Sequence, residues 1–206
     1  AGGGLAVVVL LAGCASWGGG QAREVTRTVT SMERTRAELA RAQVQVDDVL
    51  AAMNQLPAVP LENLRAAFKT YTHQVSQTVN QADAARRRAD AMRDRWRDYI
   101  ETWEQEIDRL SSPELQARAA ERRQAVRENY GRLRDVARAL DDAYQPFLRQ
   151  LQDIQRSLSL DLTPEGVRAA QSAFELAGKS GAEVRARVTD FIAEIDRVMA
   201  VSPPGR

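Results

Sequence analysis

Hydrophobic residues recur along most of this chain at alternating steps of three and four, the spacing of one face of an α-helix. The stripe is clearest in the second predicted helix, where steps of seven from Leu61 reach Phe68, Val75, Ala82, Ala89, Trp96, Trp103 and Leu110. Similar stripes run over residues 126–158 and 167–198, whereas the stripe over residues 25–53 is irregular. Repeats sustained over this many turns are typical of helices packed as a left-handed coiled coil.

Prolines divide these stripes into separate helices. Pro57 and Pro60 follow the first stripe, and Ser111-Ser112-Pro113-Glu114 separates the second from the third. Thr163-Pro164-Glu165 precedes the fourth, and Pro203-Pro204 follows it. A hydroxyl residue before Pro and Glu predicts a helix start, because the hydroxyl caps, Pro needs no N–H and Glu complements the dipole. The predicted helices cover residues 23–54, 61–110, 113–159 and 164–200.

Helix lengths and short connections predict the topology. Connections of a few residues make sequential helices antiparallel, so the predicted fold class is all-α, an elongated antiparallel coiled-coil or four-helix bundle. At 1.5 Å per residue the middle helices measure about 70–75 Å and the outer ones about 50–55 Å. The central hairpin should overhang by about 20 Å, with its tip at Ser111–Pro113 directed toward the start of the first helix. Pro146 should kink the third helix or leave a carbonyl unpaired.

A short apolar run near the start of the chain ends at its only cysteine, Cys14. Residues 5–11 have the length of the apolar region of a secretory signal peptide and are too short to span a bilayer. Leu11 precedes Ala12 and Gly13, the small residues that a bacterial lipoprotein signal peptidase requires directly before the cysteine, so the segment resembles a lipobox. We expect residues 1–13 to be a signal peptide truncated at its start, since no Lys or Arg precedes Leu5.

The predicted organisation is an anchor, a tether and one domain. Acyl chains on Cys14, at about 0.8 kcal/mol per buried CH₂, would hold the protein on a membrane permanently. Residues 14–22 are expected to form a flexible tether, 23–201 a single bundle domain and 202–206 a disordered tail. The anchor is expected on the periplasmic side of the envelope. Ala15, rather than Asp, after the cysteine resembles the enterobacterial signal for the outer rather than the inner membrane. The sequence ends in Arg206 and lacks the terminal Lys of the major murein lipoprotein, so we do not expect a peptidoglycan link of that kind.

The charge pattern argues against nucleic-acid binding. The formal net charge is +1, so no global attraction to a polyanion exists. The densest basic stretch contains Arg86, Arg87, Arg88, Arg93, Arg95 and Arg97, which by themselves suit phosphate or lipid headgroups. Aspartates interleave with them, however, and a mixed-charge helix face is the simpler interpretation. The expected pairs are Asp83/Arg87, Asp90/Arg93 and Asp94/Arg97.

Few residues suit catalysis or metal binding. His73 is the only histidine, and a di-iron bundle needs a Glu-x-x-His motif on two helices. Asp47-Asp48 and Asp141-Asp142 are adjacent pairs, which point about 100° apart on a helix and do not converge. We expect these acids to pair with arginines and His73 to lie at the solvent edge. The prediction is no catalytic residue, no metal and no cofactor.

Aromatic residues concentrate near the predicted hairpin tip. Trp96, Tyr99, Trp103 and Ile107 lie on the apolar stripe of the second helix. Aromatic stripes at this spacing are usually core. Because two helices alone cannot fully cover these side chains, they are also candidates for contact with a partner, a second copy or the bilayer interface. Trp17, beside the anchored cysteine, is a candidate for contact at the headgroup level.

Four short motifs in order connect this chain to a known family. They are Trp103-Glu104-Gln105-Glu106-Ile107, Ser112-Pro113-Glu114-Leu115, Arg127-Glu128-Asn129-Tyr130 and Pro146-Phe147-Leu148. With the lipobox and the helix lengths, they make the chain resemble the bacterial domain-of-unknown-function family numbered 2959. The resemblance implies a helical, lipoprotein-like protein and supplies no activity. Where the family often has Lys-His-Asn-Leu-Asn, this chain has Ser159-Leu160-Asp161-Leu162-Thr163, so no role of that Lys or His is carried over.

Three hypotheses about function follow. The first is a lipid-anchored periplasmic coiled-coil protein, an envelope scaffold or partner-binding module without catalysis. It would contact the membrane through acylated Cys14, and a protein partner or a second copy through its coiled-coil surfaces. The alternative is a carrier bundle that takes an apolar ligand or lipid between its helices. The small residues Ala82, Ala85 and Ala89 argue against the carrier, because they let helix backbones approach closely. The third hypothesis is an enzyme.

Overall fold

Five helices follow one another in a computed structural model of the chain, which describes residues 20–201 and, for side chains, residues 26–200. Their bounds are α1 Gly20–Gln55, α2 Leu61–Asp108, α3 Pro113–Leu160, α4 Pro164–Ala169 and α5 Gln171–Val201. No strand occurs between residues 20 and 201. The predicted signal peptide, lipobox, Cys14, Trp17 and C-terminal tail lie outside the described residues.

The long helices pack as a four-membered ring. α1 contacts α2 and α5, and α3 contacts the same two helices, so α1/α3 and α2/α5 are the diagonal pairs. Short connections make sequential neighbours antiparallel, as the connection lengths predict. The all-α bundle with a long central hairpin is therefore confirmed, since α2 and α3 have 48 residues each against 36 for α1 and 31 for α5.

Proline and hydroxyl residues start the helices as predicted. The Ser112 hydroxyl accepts a hydrogen bond from the Leu115 N–H at 3.5 Å, and the Thr163 hydroxyl accepts one from the Gly166 N–H at 3.0 Å. Pro113 and Pro164 occupy the first helical positions, where no intrahelical N–H is needed. These local signals place two of the helix starts to the residue.

The predicted boundaries need two corrections. The prediction of one helix over 164–200 is wrong, because Ala170 lies between α4 and α5 and donates its N–H to the Gly166 and Val167 carbonyls. The bond to the Val167 carbonyl, only three residues earlier, tightens this turn. Val167, Ala170 and Phe174 all remain buried. α1 begins at Gly20, inside the segment assigned to the flexible tether.

Pro146 does not end the third helix. α3 continues through it from Pro113 to Leu160. Pro146 has no N–H to donate to the Asp142 carbonyl four residues earlier, but Asp142 is exposed. Burial of Tyr144 and Phe147 on either side holds the helix together at this point.

The core consists of one apolar stripe from each long helix. The largest fully buried side chains are Met32, Leu39, Met53, Leu56, Tyr71, Leu133, Phe147, Leu151, Ile154, Leu158, Phe191 and Ile195. Burying a Leu, Ile, Met or Phe side chain contributes about 1.5–3 kcal/mol before entropy is counted. Hydrophobic burial therefore supplies the main stabilisation of the bundle.

Buried polar residues between α1 and α2 explain the irregular first stripe. Thr35 is fully buried, and its hydroxyl donates to the Ser31 carbonyl at 2.9 Å. The Gln81 side-chain amide donates to the Glu38 carboxylate at 2.6 Å, and the Gln45 amide donates to the Gln74 side-chain oxygen at 2.7 Å. Polar pairs inside a coiled-coil seam favour one register, because any shift leaves buried polar groups unpaired.

The α1–α2 register determines how far the hairpin extends. Thr35 lies beside Arg88, with its hydroxyl 3.4 Å from the Arg88 carbonyl oxygen. Continued along both helices, this register places Gly20 opposite about residue 100 of α2. On the other side, Arg132 pairs with Glu194 at 3.2 Å, which places Val201 opposite about residue 125 of α3. Residues 101–125, here named the hairpin tip, therefore extend about 18 Å beyond the described ends of α1 and α5.

The hydrogen bond between α2 and α3 provides a stability test. The buried Tyr71 hydroxyl donates to the Leu151 carbonyl at 2.7 Å, whereas the Tyr144 hydroxyl has no partner among the described residues. We expect Tyr71→Phe to lower the free energy of unfolding by about 1 kcal/mol, because a buried hydrogen bond is lost. Tyr144→Phe should leave it unchanged or raise it. Urea denaturation followed by circular dichroism measures both variants, and equal losses would contradict the assignment.

At Gly181, α5 packs closely against α1 and α3. A Cβ atom there would lie 2.7 Å from Leu50 Cδ1 and 3.1 Å from Phe147 Cε2, while nothing lies within 4 Å at Gly178. We expect Gly181→Leu to lower the free energy of unfolding by about 1–3 kcal/mol through overpacking. The matched control Gly178→Leu should be neutral or stabilising by up to about 1 kcal/mol, because it improves helix propensity. Thermal and urea unfolding of the two variants would show this difference in sign.

Candidate contact site at the hairpin tip

Four residues predicted to form a contact surface divide into two classes. Trp96 and Ile107 are buried, with 3% and 7% of their surfaces exposed. For these two residues the interpretation of the stripe as core therefore holds, and the expected partial exposure at a two-helix tip is wrong. Trp96 precedes residue 100, in the part of α2 that α1 covers, and Ile107 is the penultimate residue of α2. Tyr99 and Trp103 are half-buried. The accessible part of the predicted surface is therefore Tyr99 and Trp103.

The aromatic rings of α2 form one connected cluster with a ring from α3. Trp96 and Tyr99 meet edge to face with centroids 5.9 Å apart, and Tyr99 and Trp103 lie 5.6 Å apart. Tyr130 of α3 lies 6.3 Å from Trp96. Such pairs contribute about 0.5–1.5 kcal/mol each beyond their burial. We name Trp96, Tyr99, Trp103 and Tyr130 the tip cluster.

Two residues of α3 at this surface, Tyr130 and Arg122, were not among the predicted site residues. Tyr130 lies on the apolar stripe of the third helix, but its proximity to Trp96 depends on how α2 and α3 align. Arg122 lies with its guanidinium carbon 5.9 Å from the centre of the Trp103 ring, within the range of a cation–π interaction. One side of Trp103 is therefore covered by a cation rather than by a third helix.

Charges surround the half-buried rings. Glu104 accepts a hydrogen bond from Arg127 and lies 3.9 Å from Arg123, so α3 supplies cations along this edge. Burial raises the pKa of the Tyr99 hydroxyl, and the positive charge of Arg122 opposes that shift. Tyr99 is therefore neutral near pH 7. The surface therefore has an apolar centre with a rim of charged residues of both signs.

The Trp96 indole N–H is buried and meets no acceptor in the described part of the chain. Burying an unpaired donor has a cost of about 1–3 kcal/mol, which ring packing must exceed. Trp96 therefore acts as the packing base of the tip cluster, beneath the more accessible Tyr99 and Trp103.

The acidic candidates lie apart and pair with arginines. Asp47 lies 2.7 Å from Arg185 of α5, and Asp141 lies 2.6 Å from Arg86 of α2. The expected pairing of adjacent acids with arginines is thereby confirmed for one member of each pair. His73 is exposed, as predicted. Across residues 20–201, no three His, Cys, Asp or Glu side chains are placed to hold a metal ion.

The basic stretch pairs with acids only in part. Arg93 lies 2.8 Å from Asp90 and Arg97 lies 3.9 Å from Asp94, as predicted. Asp83 pairs instead with Arg86, at 3.6 Å, so the predicted Asp83/Arg87 pair is wrong. Exposed pairs of this kind contribute about 0–1 kcal/mol each. They keep the helix face soluble and do not define a site.

The ring of long helices and its projecting aromatic hairpin define an all-α antiparallel bundle of the coiled-coil class. The chain belongs to the family described as Protein of unknown function (DUF2959), whose model matches residues 18–202. No curated protein and no solved structure gives a significant match. Within the described residues, every helix is too short or too polar to cross a bilayer.

Proposed function

We propose that this protein is a lipid-anchored coiled-coil scaffold or partner-binding module of the bacterial cell envelope, which presents its hairpin tip to a protein partner. The observation that carries the proposal is the tip itself. At the base of the tip, the half-buried Tyr99 and Trp103 stand where the two-helix segment begins to extend beyond α1 and α5. A projection with an apolar centre and charged rim is the shape of a contact surface.

The proposed anchor and the tip lie at the same end of the bundle. α1 begins beside the C-terminal half of α2, because the two helices are antiparallel in the register of Thr35 and Arg88. Five residues lie between Cys14 and Gly20, and the six Cα–Cα steps of a fully extended chain span about 20 Å. The tip extends about 18 Å past α1, so an acylated Cys14 would keep it close to the membrane surface.

The proposed location follows from the lipobox residues Leu11, Ala12 and Gly13 and from Ala15. They favour the periplasmic side of the envelope, with the outer membrane preferred over the inner. Trp17, in the tether, would then lie at the headgroup level. A bundle held at that surface, with its tip beside the membrane, suits contact with another envelope protein or a second copy of the same chain.

A non-catalytic role is part of the proposal. The carboxylates of Asp47 and Asp141 bind arginines of neighbouring helices, and His73 stands exposed on α2. Small residues also argue against the carrier alternative. Ala42, Ala82 and Ala85 are buried in the α1–α2 part of the core, where their short side chains allow close packing.

The anchor can be tested separately from the tip. We expect Cys14→Ala to abolish labelling of the protein with radioactive palmitate in cells and to move it from the membrane to the soluble fraction. Ser16→Ala, two residues away, is the matched control and should be labelled and localised as the wild type. A Cys14→Ala protein that is still acylated would refute the anchor.

The tip is tested by site-specific photo-crosslinking in living cells. A photoreactive phenylalanine replacing Trp103 should capture a discrete protein partner, identified by mass spectrometry, because this position is accessible and apolar. The same probe replacing Leu176, an exposed apolar residue of α5, is the control for random encounter. Capture of lipid alone, or the same products from both positions, would contradict the proposed protein contact.

A further inference from the structure

A cleft between α1 and α2 is lined by four arginines. Arg27 and Arg34 come from α1, and Arg88 and Arg95 come from α2. The cleft has a volume of about 200 Å³, and the hydroxyl residues Thr30 and Ser31 also line it. We name it the basic cleft. No Asp or Glu is among its lining residues.

Helix geometry brings these arginines together. Arg27 and Arg34 are seven residues apart on α1, and Arg88 and Arg95 are seven apart on α2, so each pair repeats at one position of the heptad. The register that places Thr35 beside Arg88 then sets Arg34 across from Arg88. Positions that flank a coiled-coil seam usually carry opposite charges, because like charges repel across it. Packing of the bundle gives no reason for cations on both sides.

Three of these arginines have no carboxylate within 4 Å among the described residues: Arg34, Arg88 and Arg95. The nearby carboxylate of Glu38 is already bound, accepting from Arg41 at 2.5 Å and from Gln81 at 2.6 Å. The hydrogen bond from Arg41 is the largest cause that lowers the Glu38 pKa, and the charge of Arg88 adds the smallest contribution. The guanidinium donors of Arg34, Arg88 and Arg95 are therefore available to a ligand.

The same stretch of α2 contains arginines with the opposite property. Arg93 and Arg97 contact Asp90, Asp94 and Asp98 on the outer face of the helix. Arg88 and Arg95 instead face α1. The arginines of this stretch therefore lie on two faces of α2. Those on the outer face pair with aspartates, and those facing α1 do not.

We propose that the basic cleft binds a phosphate-bearing anion, supplied either by a phospholipid headgroup or by a soluble phosphate compound. Guanidinium groups are planar donors that match phosphate oxygens two at a time, and the hydroxyls of Thr30 and Ser31 offer additional donors. A bound anion would remove the repulsion between Arg34 and Arg88 and fasten α1 to α2 near the end where α1 begins. The proposal depends on neither the acyl anchor nor the hairpin tip.

The test uses the full chain carrying Cys14→Ala, so that acylation does not contribute and any effect of residues 1–13 is equal in all samples. The cleft variant is Arg34→Gln with Arg88→Gln. The control variant, Arg93→Gln with Arg97→Gln, removes the same charge from paired arginines outside the cleft. Circular dichroism confirms that both variants are folded before binding is measured.

Two arms distinguish the sources of phosphate. Vesicles of phosphatidylglycerol and phosphatidylcholine should bind the cleft variant about tenfold more weakly than the control variant. Inorganic pyrophosphate should raise the melting temperature of the wild type and the control but not of the cleft variant. Loss in the vesicle arm alone assigns a lipid headgroup, and loss in the pyrophosphate arm alone assigns a soluble ligand. Loss in both arms shows that the phosphate group itself suffices for recognition.

The proposal would be overturned if neither probe distinguished the two variants, that is, if the cleft and control substitutions weakened the response to vesicles or to pyrophosphate equally and neither response were lost selectively in the cleft variant. Such a result would mean that surface charge acts without a site. Absence of binding to both probes by the wild type would overturn it as well.

Discussion

Burial of one apolar stripe per long helix is the constraint on which the rest of this structure depends. The described chain has no strands, and its exposed ion pairs are worth little individually, so side-chain packing must supply the stability. Each stripe has to face two neighbours at once, which arranges α1, α2, α3 and α5 in a ring. At Gly181, even one methyl group would meet Leu50 and Phe147. Small residues are thus as necessary to this core as large ones.

The packing of α1 against α2 also fixes the register of these two helices. Thr35, Glu38 and Gln45 interrupt the apolar stripe of α1, and their hydrogen bonds to α2 select one alignment among several that the apolar residues would tolerate. That single alignment determines two features that concern function. It sets how far the hairpin extends past α1, and it places Arg34 across from Arg88. A register shift of one heptad between α1 and α2 would change both the extension of the hairpin and the position of Arg34 relative to Arg88.

The candidate surfaces differ in how they relate to stability. The tip cluster is partly core, since Trp96 is buried while Tyr99 and Trp103 keep accessible faces. The basic cleft instead brings exposed arginines of α1 and α2 together, with no carboxylate among its lining residues. The cleft and the tip lie toward the same end of the bundle, where the proposed membrane anchor would also be.

Local chemistry made much of this protein predictable from its residues. The all-α class, the long hairpin and the starts of α3 and α4 follow from periodicity and from the capping of Ser112 and Thr163, which involve only neighbouring residues. The break at Ala170 and the pairing of Asp83 with Arg86 were not predicted, because each depends on a turn or a neighbour chosen by packing. Arg88 and Arg95 face α1, and Arg86 reaches Asp141 of α3. The spacing of residues within α2 does not reveal these contacts with other helices. The sequence by itself determined the helices and their stripes, which are properties of short segments. Only the tertiary structure decided which side chains meet across helices, because that depends on a register set by buried contacts far apart in the chain.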